Sequence, residues 1–443
     1  MIVSGSYILA ALSMYVAGLY LIYRLRLYLT SSSMLLGLLL LIHGPAYLVY
    51  MLARGSQSPI FIRIEMLPNF EDIVTALNVS IGLMFIGVMI GFEIVNLSMR
   101  SRSRQLQIKI AAWNSQRIGD SVLGIRFLWI AMLGCLAFML WSAVANNQIA
   151  AILGYIAVSG DEFAKIAYRQ QYGGSSSYAY RVVVGFIAPM LIIWGALGAW
   201  TMRSWLLAVV TAALFTLTVL GKFATLSKAP IALFFLQILL ALYLIFRNSI
   251  NKRAILFASI IGVAIFYPVI RLAIPNADAW DALSFFYYRT FDISNEAVLE
   301  FFGAFPGKIA HLWGANIRLL AVVLGLDYQP SFEIVSRLWR GSAGSTTTAL
   351  FIADAWADFS YFGVFGFSVL LGGICRLTDV VFVAEGKTVM SIVILAAMFL
   401  GIYNVLISAL PTAALSGGLI LPGVLAFAAM KGDEIVRSRL SFG

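Results

Sequence analysis

Residues 76–97 read ALNVSIGLMFIGVMIGFEIVNL, an apolar stretch in which Glu93 is the only charged side chain. A helix needs roughly 20 apolar residues to cross the hydrocarbon core of a bilayer, so this stretch predicts a membrane span. Similar windows recur at 3–23, 34–52, 127–146, 182–200, 204–221, 230–246, 254–272, 359–376, 389–410 and 412–430. The sequence therefore predicts an all-α polytopic membrane protein of about eleven transmembrane helices, forming a single integral membrane domain over residues 1–443.

Composition supports the membrane prediction and excludes other classes of protein. Hydrophobic residues make up 61% of the chain and charged residues 11%, which excludes a soluble protein. The net charge of +10 comes from short basic clusters between apolar runs, as is typical of membrane orientation signals, so nucleic acid is not expected as a partner. Cys135 and Cys375 lie within or at the end of apolar segments, and we expect neither a disulfide nor a thiolate metal site.

The distribution of charge predicts the orientation. With the N-terminus outside and the C-terminus in the cytoplasm, every inner connection is basic, and the inner side holds 17 of the 30 Lys and Arg residues. Arg24 and Arg26 follow the first apolar window, which therefore reads as a retained helix rather than a cleaved signal. Of the 20 acidic residues, about 14 fall on the outer face, so charges of both signs gather in the outer loops.

Two outer loops are long, at residues 147–181 and 273–358. Long loops with structure of their own usually carry function. Within the second, IRLLAVVLGL at 317–326 is apolar but too short to span, which predicts a helix lying in the outer interface. The functional loop is therefore expected to lie against the membrane.

The first loop and a later outer turn contain candidate anion-binding residues. Arg169 and Arg181 flank a Gly- and Ser-rich stretch with several tyrosines, and a guanidinium donates two parallel hydrogen bonds to phosphate. Lys228 lies in GKFATLSKAP, just before a helix expected to begin near Pro230, whose N-terminus would add a positive dipole end. The alternatives are ordinary solvated loop charges for the first group and a snorkelling lysine for the second.

The large loop carries a set of charges at helical spacing. Arg289, Asp292, Glu296 and Glu300 follow one another by three, four and four residues, which places them along one helical face. Such a face is either part of a site or a solvated ladder of salt bridges.

Further candidates follow in the same loop. Arg337 and Arg340 are three residues apart, so both can hold a diphosphate from one helical turn, or anchor the loop to lipid headgroups. His311 and Arg318 precede them. No HExxH, paired CxxC, GxSxG or phosphate-binding glycine-rich loop is present, so no metal and no cofactor is expected.

Three ionisable residues lie within or beside predicted spans. Asp354 and Asp358 share a helical face before the ninth window, where they either face the site or pair with an arginine for structural reasons. His43 precedes Gly44 and Pro45, and its N–H is expected to satisfy a carbonyl that the proline kink leaves free.

Four segments of this sequence resemble the O-antigen polymerase (Wzy) family of oligosaccharide repeat unit polymerases. They are YRQQY with Arg169, SKAP with Lys228, FYYRTF with Arg289 and TTTALFIADAWADFSYFGVFGF at 346–367. The resemblance covers residues 150–375. It implies a GT-C-like membrane glycosyltransferase of the bacterial inner membrane, with two large periplasmic loops.

The reaction implied by the resemblance is glycosyl transfer between two undecaprenyl-diphosphate-linked oligosaccharides, without metal or cofactor. We expect Asp292, Glu296 or His311 to act as the base. The residues expected to bind diphosphate or glycan are Arg169, Arg181, Lys228, Arg289, Arg318, Arg337 and Arg340. The other expected partners are membrane lipids and a chain-length regulator protein.

Two alternatives remain. An O-antigen ligase-type enzyme shares the donor and topology but transfers the glycan to a lipid A core, and His311 would match its outer-loop histidine. A flippase for the same lipid-linked units belongs to a different class. It should carry charges along its spans, whereas these windows are nearly free of charge.

Overall fold

The computed structural model describes residues 5–119, 124–146, 153–154, 157–158, 168, 177–224, 229–251, 260, 262, 267, 278–341 and 347–440. Within these residues the regular structure is helical, so the all-α prediction is confirmed. The α-helices are Gly5–Leu19, Ser31–His43, Pro45–Leu52, Pro59–Glu65, Phe70–Ser98, Arg100–Ala111, Ile125–Ala145, Tyr178–Val182, Ala188–Met202, Trp205–Ala224, Ala229–Phe246, Ala279–Tyr287, Ile293–Ala304, Arg318–Leu324, Ser331–Arg340, Phe351–Thr378, Val389–Val405, Leu410–Leu415 and Leu421–Leu440.

Eight helical segments among the described residues are long and apolar enough to cross a membrane. They are Gly5–Arg24, Ser31–Leu52, Phe70–Ser98, Ile125–Ala145, Tyr178–Met202, Trp205–Phe223, Ala229–Phe246 and Phe351–Val383. Each coincides with a predicted window. Val389–Val405 and Leu421–Gly432 are apolar but shorter, and the window 254–272 lies mostly outside the described residues. The protein is thus an all-α polytopic membrane protein.

The chain divides into two compact units. Unit 1 comprises Met1–Arg100, Ser249–Leu377 and Ile402–Ala413, and unit 2 comprises Ser101–Asn248, Thr378–Gly401 and Ala414–Gly443. The segment 273–358 belongs to unit 1, and Arg181 belongs to unit 2.

Unit 1 is built on a close crossing of two spans, Phe70–Ser98 and Phe351–Thr378. A Cβ atom added to Gly91 would lie 2.2 Å from the carbonyl oxygen of Val369, and one added to Gly372 would lie 2.2 Å from that of Val88. Small residues allow helix backbones to approach in this way where lipid supplies no hydrophobic drive for association.

A polar cluster joins the C-terminal ends of three spans in unit 1. Arg24 binds both carboxylate oxygens of Glu93 at 3.0 Å, and the Tyr20 hydroxyl donates to the same carboxylate at 2.5 Å. The buried Arg376 donates from Nε to Asn96 Oδ1 at 2.7 Å. These contacts hold one end of the three helices together and define what we call the basic end of unit 1.

Two helix breaks lie toward the opposite end. The second span is interrupted at Gly44, before Pro45. The helix Phe351–Thr378 is interrupted at Phe359 and Ser360, where Ser360 has φ +55°. Because helical hydrogen bonding stops there, the carbonyls of Ala357 and Asp358 accept the N–H groups of Leu312 and Trp313 at 2.9 and 3.0 Å. These two hydrogen bonds connect the segment around Leu312 and Trp313 to the broken span.

A short helix, Arg318–Leu324, lies within the segment 317–326 for which an interfacial helix is predicted. Its apolar side chains are unusually open, with Leu319, Val322 and Val323 each more than 70% exposed. An apolar surface of this kind suits a helix that lies in lipid rather than in water.

Candidate functional site

A buried acidic helix forms the centre of unit 1. We call Ile293–Ala304 the acidic helix, because it carries Glu296 and Glu300 on one face and follows Asp292 directly. Glu296 is 4% exposed, Glu300 is fully buried and Asp292 is 5% exposed. Carboxylates are expensive to remove from water unless they are paired or functional, so this helix is the first candidate for chemistry.

Glu300 is held by a second helix. We call Ser331–Arg340 the arginine helix; its Arg340 Nη2 lies 2.6 Å from Glu300 Oε1. The Thr347 hydroxyl donates to the other carboxylate oxygen at 3.1 Å, and the Trp339 indole donates to the Glu300 carbonyl at 2.9 Å. Burial raises the pKa of Glu300, whereas the Arg340 guanidinium lowers it. We conclude that the ion pair fixes the two helices together.

Glu296 has a different environment. The Ser58 hydroxyl donates to Glu296 Oε2, and Ser58 also caps the helix Pro59–Glu65 by accepting from the Ile60 N–H. Burial raises the pKa of the Glu296 carboxyl, while the Ser58 hydrogen bond and the charge of Arg340 oppose the rise. Glu296 is therefore a desolvated carboxyl with an elevated pKa and no directly bonded cation among the described residues, which distinguishes it from Glu300.

Two cations contact Trp339, and a third, Arg340, follows it in the chain. Arg63 Nη1 donates to the Trp339 carbonyl at 3.2 Å, and the Lys308 ammonium lies 4.2 Å from the centroid of the indole. Arg340 is the next residue along the arginine helix. The C-terminal end of a helix favours cations, and an indole face adds a further attraction. We call Arg63, Lys308 and Arg340 the cationic cluster, because two of these cations contact Trp339 and the third is its neighbour in the chain.

The acidic helix is anchored to the kinked second span. Asn295 Oδ1 lies 2.9 Å from His43 Nδ1, and Asn295 Nδ2 donates to the Ile42 carbonyl at 3.1 Å. The carbonyl beside the proline kink is therefore satisfied by an asparagine from a distant helix. The expectation that the His43 N–H itself would satisfy a freed carbonyl is wrong, because the imidazole is used to bind Asn295.

Asp354 and Asp358 accept hydrogen bonds from residues of the segment 314–331. Asp354 Oδ1 accepts from Asn316 Nδ2 at 3.0 Å and from the Ser331 hydroxyl, while Asp358 Oδ1 accepts the N–H groups of Gly314 and Asn316 at 3.0 and 3.3 Å. Neither carboxylate has an arginine partner among the residues described. These contacts favour the structural reading of both aspartates, with loop N–H groups in place of the expected arginine.

The predicted site residues separate into three groups. Asp292, Glu296 and Arg340 lie together in the cluster around the acidic helix. His311 is half-buried beside the indoles of Trp356 and Trp313, with ring centroids 5.3 and 6.3 Å away. Arg289, Arg318 and Arg337 form the third group and are exposed in unit 1.

Arg289 does not share the buried face of the glutamates. The helical turn Tyr288–Asp292 is a π-turn, which shifts the register between the preceding helix and the acidic helix. Arg289 is exposed and lies 5.8 Å from the Phe285 ring. Arg181 is exposed in unit 2, and Arg169 and Lys228 lie outside the described residues.

Four residues of this site are not predicted from the sequence: Ser58, Arg63, Asn295 and Lys308. Ser58 had a usable signal, because a serine directly before a proline is a typical start of a helix. The other three carry no local signal, since each acts through a partner far away in the sequence.

No group of three or more His, Cys, Asp or Glu side chains in the described part of the chain is arranged to hold a metal ion. Comparison with protein-family models, curated proteins and solved structures gave no match. The site therefore has to be interpreted from its own geometry.

Proposed function

We propose that this chain is a membrane glycosyltransferase that polymerises undecaprenyl-diphosphate-linked oligosaccharide repeat units into O-antigen or a related surface polysaccharide. The observation that carries the proposal is that desolvated Glu296 and ion-paired Glu300 lie on one helix, tied through Arg340 to the cationic cluster. Transfer from a diphosphate needs a base for the acceptor and cations for the leaving group, and this arrangement offers both.

The proposed step is a substitution at the anomeric carbon of the donor glycan. An acceptor hydroxyl oxygen forms the new bond to this carbon while the bond from carbon to the phosphate oxygen breaks. The electron pair leaves with the undecaprenyl diphosphate, and the acceptor proton passes to Glu296. Atoms and charge balance without a metal or a cofactor.

Glu296 is the preferred base. The Glu300 carboxylate is occupied by Arg340 and Thr347, whereas Glu296 is bonded to the Ser58 hydroxyl. A general base works best when its pKa lies near the working pH, and burial moves the Glu296 pKa upward in that direction. Asp292 and His311 remain the other proposed bases.

The cationic cluster is proposed to hold the diphosphate. Arg63 and Lys308 both contact Trp339 and Arg340 follows it in the chain, so an anion beside this residue would meet several donors without the cost of assembling them. The exposed Arg289, Arg318 and Arg337, together with Arg169, Arg181 and Lys228, are proposed to contact the glycan or further phosphates.

The proposed location is the periplasmic face of the bacterial inner membrane. Arg24, Glu93 and Arg376 mark the basic end of unit 1, whereas Asp354 lies at the opposite end of the span that carries Arg376. Ser58 follows the second span. Basic ends favour the cytoplasm, which supports an outer site, an outside N-terminus and the eleven-span topology.

Surface polysaccharide from a strain lacking the protein tests the proposal. We expect lipid A cores capped with a single repeat unit, and the long-chain ladder should return with the wild-type gene. Free polymer that stays on the carrier lipid would instead indicate a ligase. An unchanged ladder would contradict both readings.

A further inference from the structure

Two tyrosines of one short helix differ in how their hydroxyls are used. Tyr47 and Tyr50, one turn apart in Pro45–Leu52, are each 1% exposed. The Tyr47 hydroxyl donates to Asn78 Oδ1 at 2.8 Å. The Tyr50 hydroxyl is buried and has no hydrogen-bond partner among the described residues. A buried hydroxyl that has lost water without gaining a partner is destabilising, so its presence needs a reason.

The surroundings of Tyr50 indicate that reason. Its ring packs edge-on against Phe61, with centroids 5.8 Å apart. Phe61 lies on the helix that Ser58 caps, and Ser58 donates to Glu296, while the helix of Tyr50 also contacts the turn Tyr288–Asp292. The unsatisfied donor therefore belongs to the same cluster as the proposed base.

The charge around Tyr50 limits what can bind there. The Asp292 and Glu296 carboxyl groups disfavour a phosphate, whereas a neutral, hydroxyl-rich ligand can accept from the phenol and donate to a carboxylate. The diphosphate is better suited to the cationic cluster around Trp339. Among the parts of a lipid-linked saccharide, a sugar ring is thus the part that fits Tyr50.

Access to this buried layer would be through its partly exposed members. The Arg340 side chain is 33% exposed, and Tyr288, in the turn that the helix of Tyr50 contacts, is 42% exposed. An anion bound at Arg340 would compete with Glu300 for the guanidinium and so loosen the contact between the acidic helix and the arginine helix.

We propose that Tyr50 is a further catalytic residue, whose hydroxyl donates a hydrogen bond to an oxygen of the acceptor sugar and so holds the attacking hydroxyl at Glu296. This inference rests on the proposed glycosyl transfer. It assigns Tyr50 to the acceptor and leaves the diphosphate to the cations.

The test is a matched pair of substitutions, Tyr50→Phe and Tyr47→Phe, in the purified full-length protein. Tyr50→Phe removes only the unsatisfied hydroxyl, so we expect an unfolding temperature equal to or above the wild type. We also expect kcat/KM for the acceptor to fall at least 10-fold in polymerisation of undecaprenyl-diphosphate-linked repeat units. Tyr47→Phe leaves Asn78 without its donor, so it should unfold at a lower temperature yet keep the wild-type kcat/KM.

The outcomes separate the inference from the function beneath it. If wild type and Tyr47→Phe polymerise and Tyr50→Phe matches them in kcat/KM, the role of Tyr50 is refuted and the proposed function stands. If the wild-type protein itself makes no polymer, the proposed function fails and the role of Tyr50 fails with it. A second readout is inhibition by a lipid-free repeat-unit oligosaccharide, which should weaken at least 10-fold in Tyr50→Phe only.

Discussion

Glu300 and Arg340 form a 2.6 Å ion pair in which the carboxylate side is fully buried and the guanidinium side is one-third exposed. The pair joins the acidic helix to the arginine helix, and it brings the buried carboxylates next to the cations around Trp339. Arg340 therefore has a structural role, holding the two helices together, in addition to its proposed contact with a diphosphate.

Arg340→Ala should destabilise the protein as well as inactivate it. Loss of the guanidinium leaves Glu300 as a buried unpaired charge, which costs about 3 kcal/mol, the low end of the usual range because Arg340 is partly exposed. Glu300 can escape by taking up a proton, so the loss should be larger at pH 8 than at pH 5. Thermal unfolding in detergent at both values measures it.

The double variant Arg340→Ala with Glu300→Gln separates the two duties. A neutral amide at position 300 removes the buried charge and should restore most of the unfolding temperature. Polymer formation should stay lost, because the proposed phosphate ligand is still absent. Restored polymerisation would contradict a direct role of Arg340.

Glu296→Gln should reduce polymerisation by about 100-fold or more without loss of folding, which is the usual effect of removing a general base. The wild-type rate should rise with pH through a pKa above the 4.5 of an unperturbed glutamate, since burial raises the pKa of this carboxyl and only the ionised form accepts a proton. Arg340 and Asp292 act on the same group in opposite directions. A pH profile of kcat/KM checks the position of the acidic limb, and a flat profile across it would exclude Glu296.

The same raised pKa affects stability with the opposite sign. The folded protein binds the Glu296 proton more tightly than the unfolded chain, so this group stabilises the fold at low pH and the contribution disappears as pH rises through the raised pKa. Glu296→Gln should therefore gain unfolding temperature over the wild type at pH 8 and little at pH 4.

Asn295→Leu should destabilise unit 1 by removing the link between the acidic helix and the kinked span. It leaves the Ile42 carbonyl and the His43 imidazole without their partner, at about 1–3 kcal/mol for each buried polar group. Adding His43→Leu should cost less than the sum of the two single changes, because one of the orphaned groups then disappears. Additive losses would show that the two residues are not coupled.

Gly372→Ala and Gly373→Ala test the close crossing of the two spans. A Cβ at Gly372 would meet the Val88 carbonyl at 2.2 Å, whereas nothing lies within 4 Å of a Cβ at Gly373. We expect Gly372→Ala to lower the unfolding temperature and the yield of folded protein, while its neighbour remains as stable as the wild type. Equal behaviour of the two variants would mean that the helices do not cross at this point.

The spans were largely predictable because lipid imposes a minimum apolar length on each one. The ninth window shows where hydropathy fails to locate the start of a helix. Hydropathy alone predicts a span at 359–376, because it excludes Asp354 and Asp358, yet the helix begins at Phe351. Loop residues at 314, 316 and 331 donate hydrogen bonds to one oxygen of each carboxylate, and no local pattern reveals such distant partners.

In the candidate site, too, local features were predictable from the sequence and contacts between distant residues were not. The four-residue spacing of Glu296 and Glu300 predicted a common face, because that spacing is intrinsic to a helix. The π-turn that moves Arg289 away from that face, and the approach of Arg63 and Lys308 to Trp339, depend on tertiary packing. The carboxylates Asp292 and Glu296 and the exposed arginines could therefore be proposed from the sequence, whereas Arg63, Lys308 and Tyr50 are recognised only through their surroundings.

The most direct measurement is polymerisation by the purified protein in vesicles supplied with undecaprenyl-diphosphate-linked repeat units and no added metal. We predict a ladder of lengthening products from the wild type. Neither Glu296→Gln nor the double variant Arg340→Ala with Glu300→Gln should produce such a ladder. A wild type that leaves the units single, or a Glu296→Gln protein that lengthens them at the wild-type rate, would contradict it.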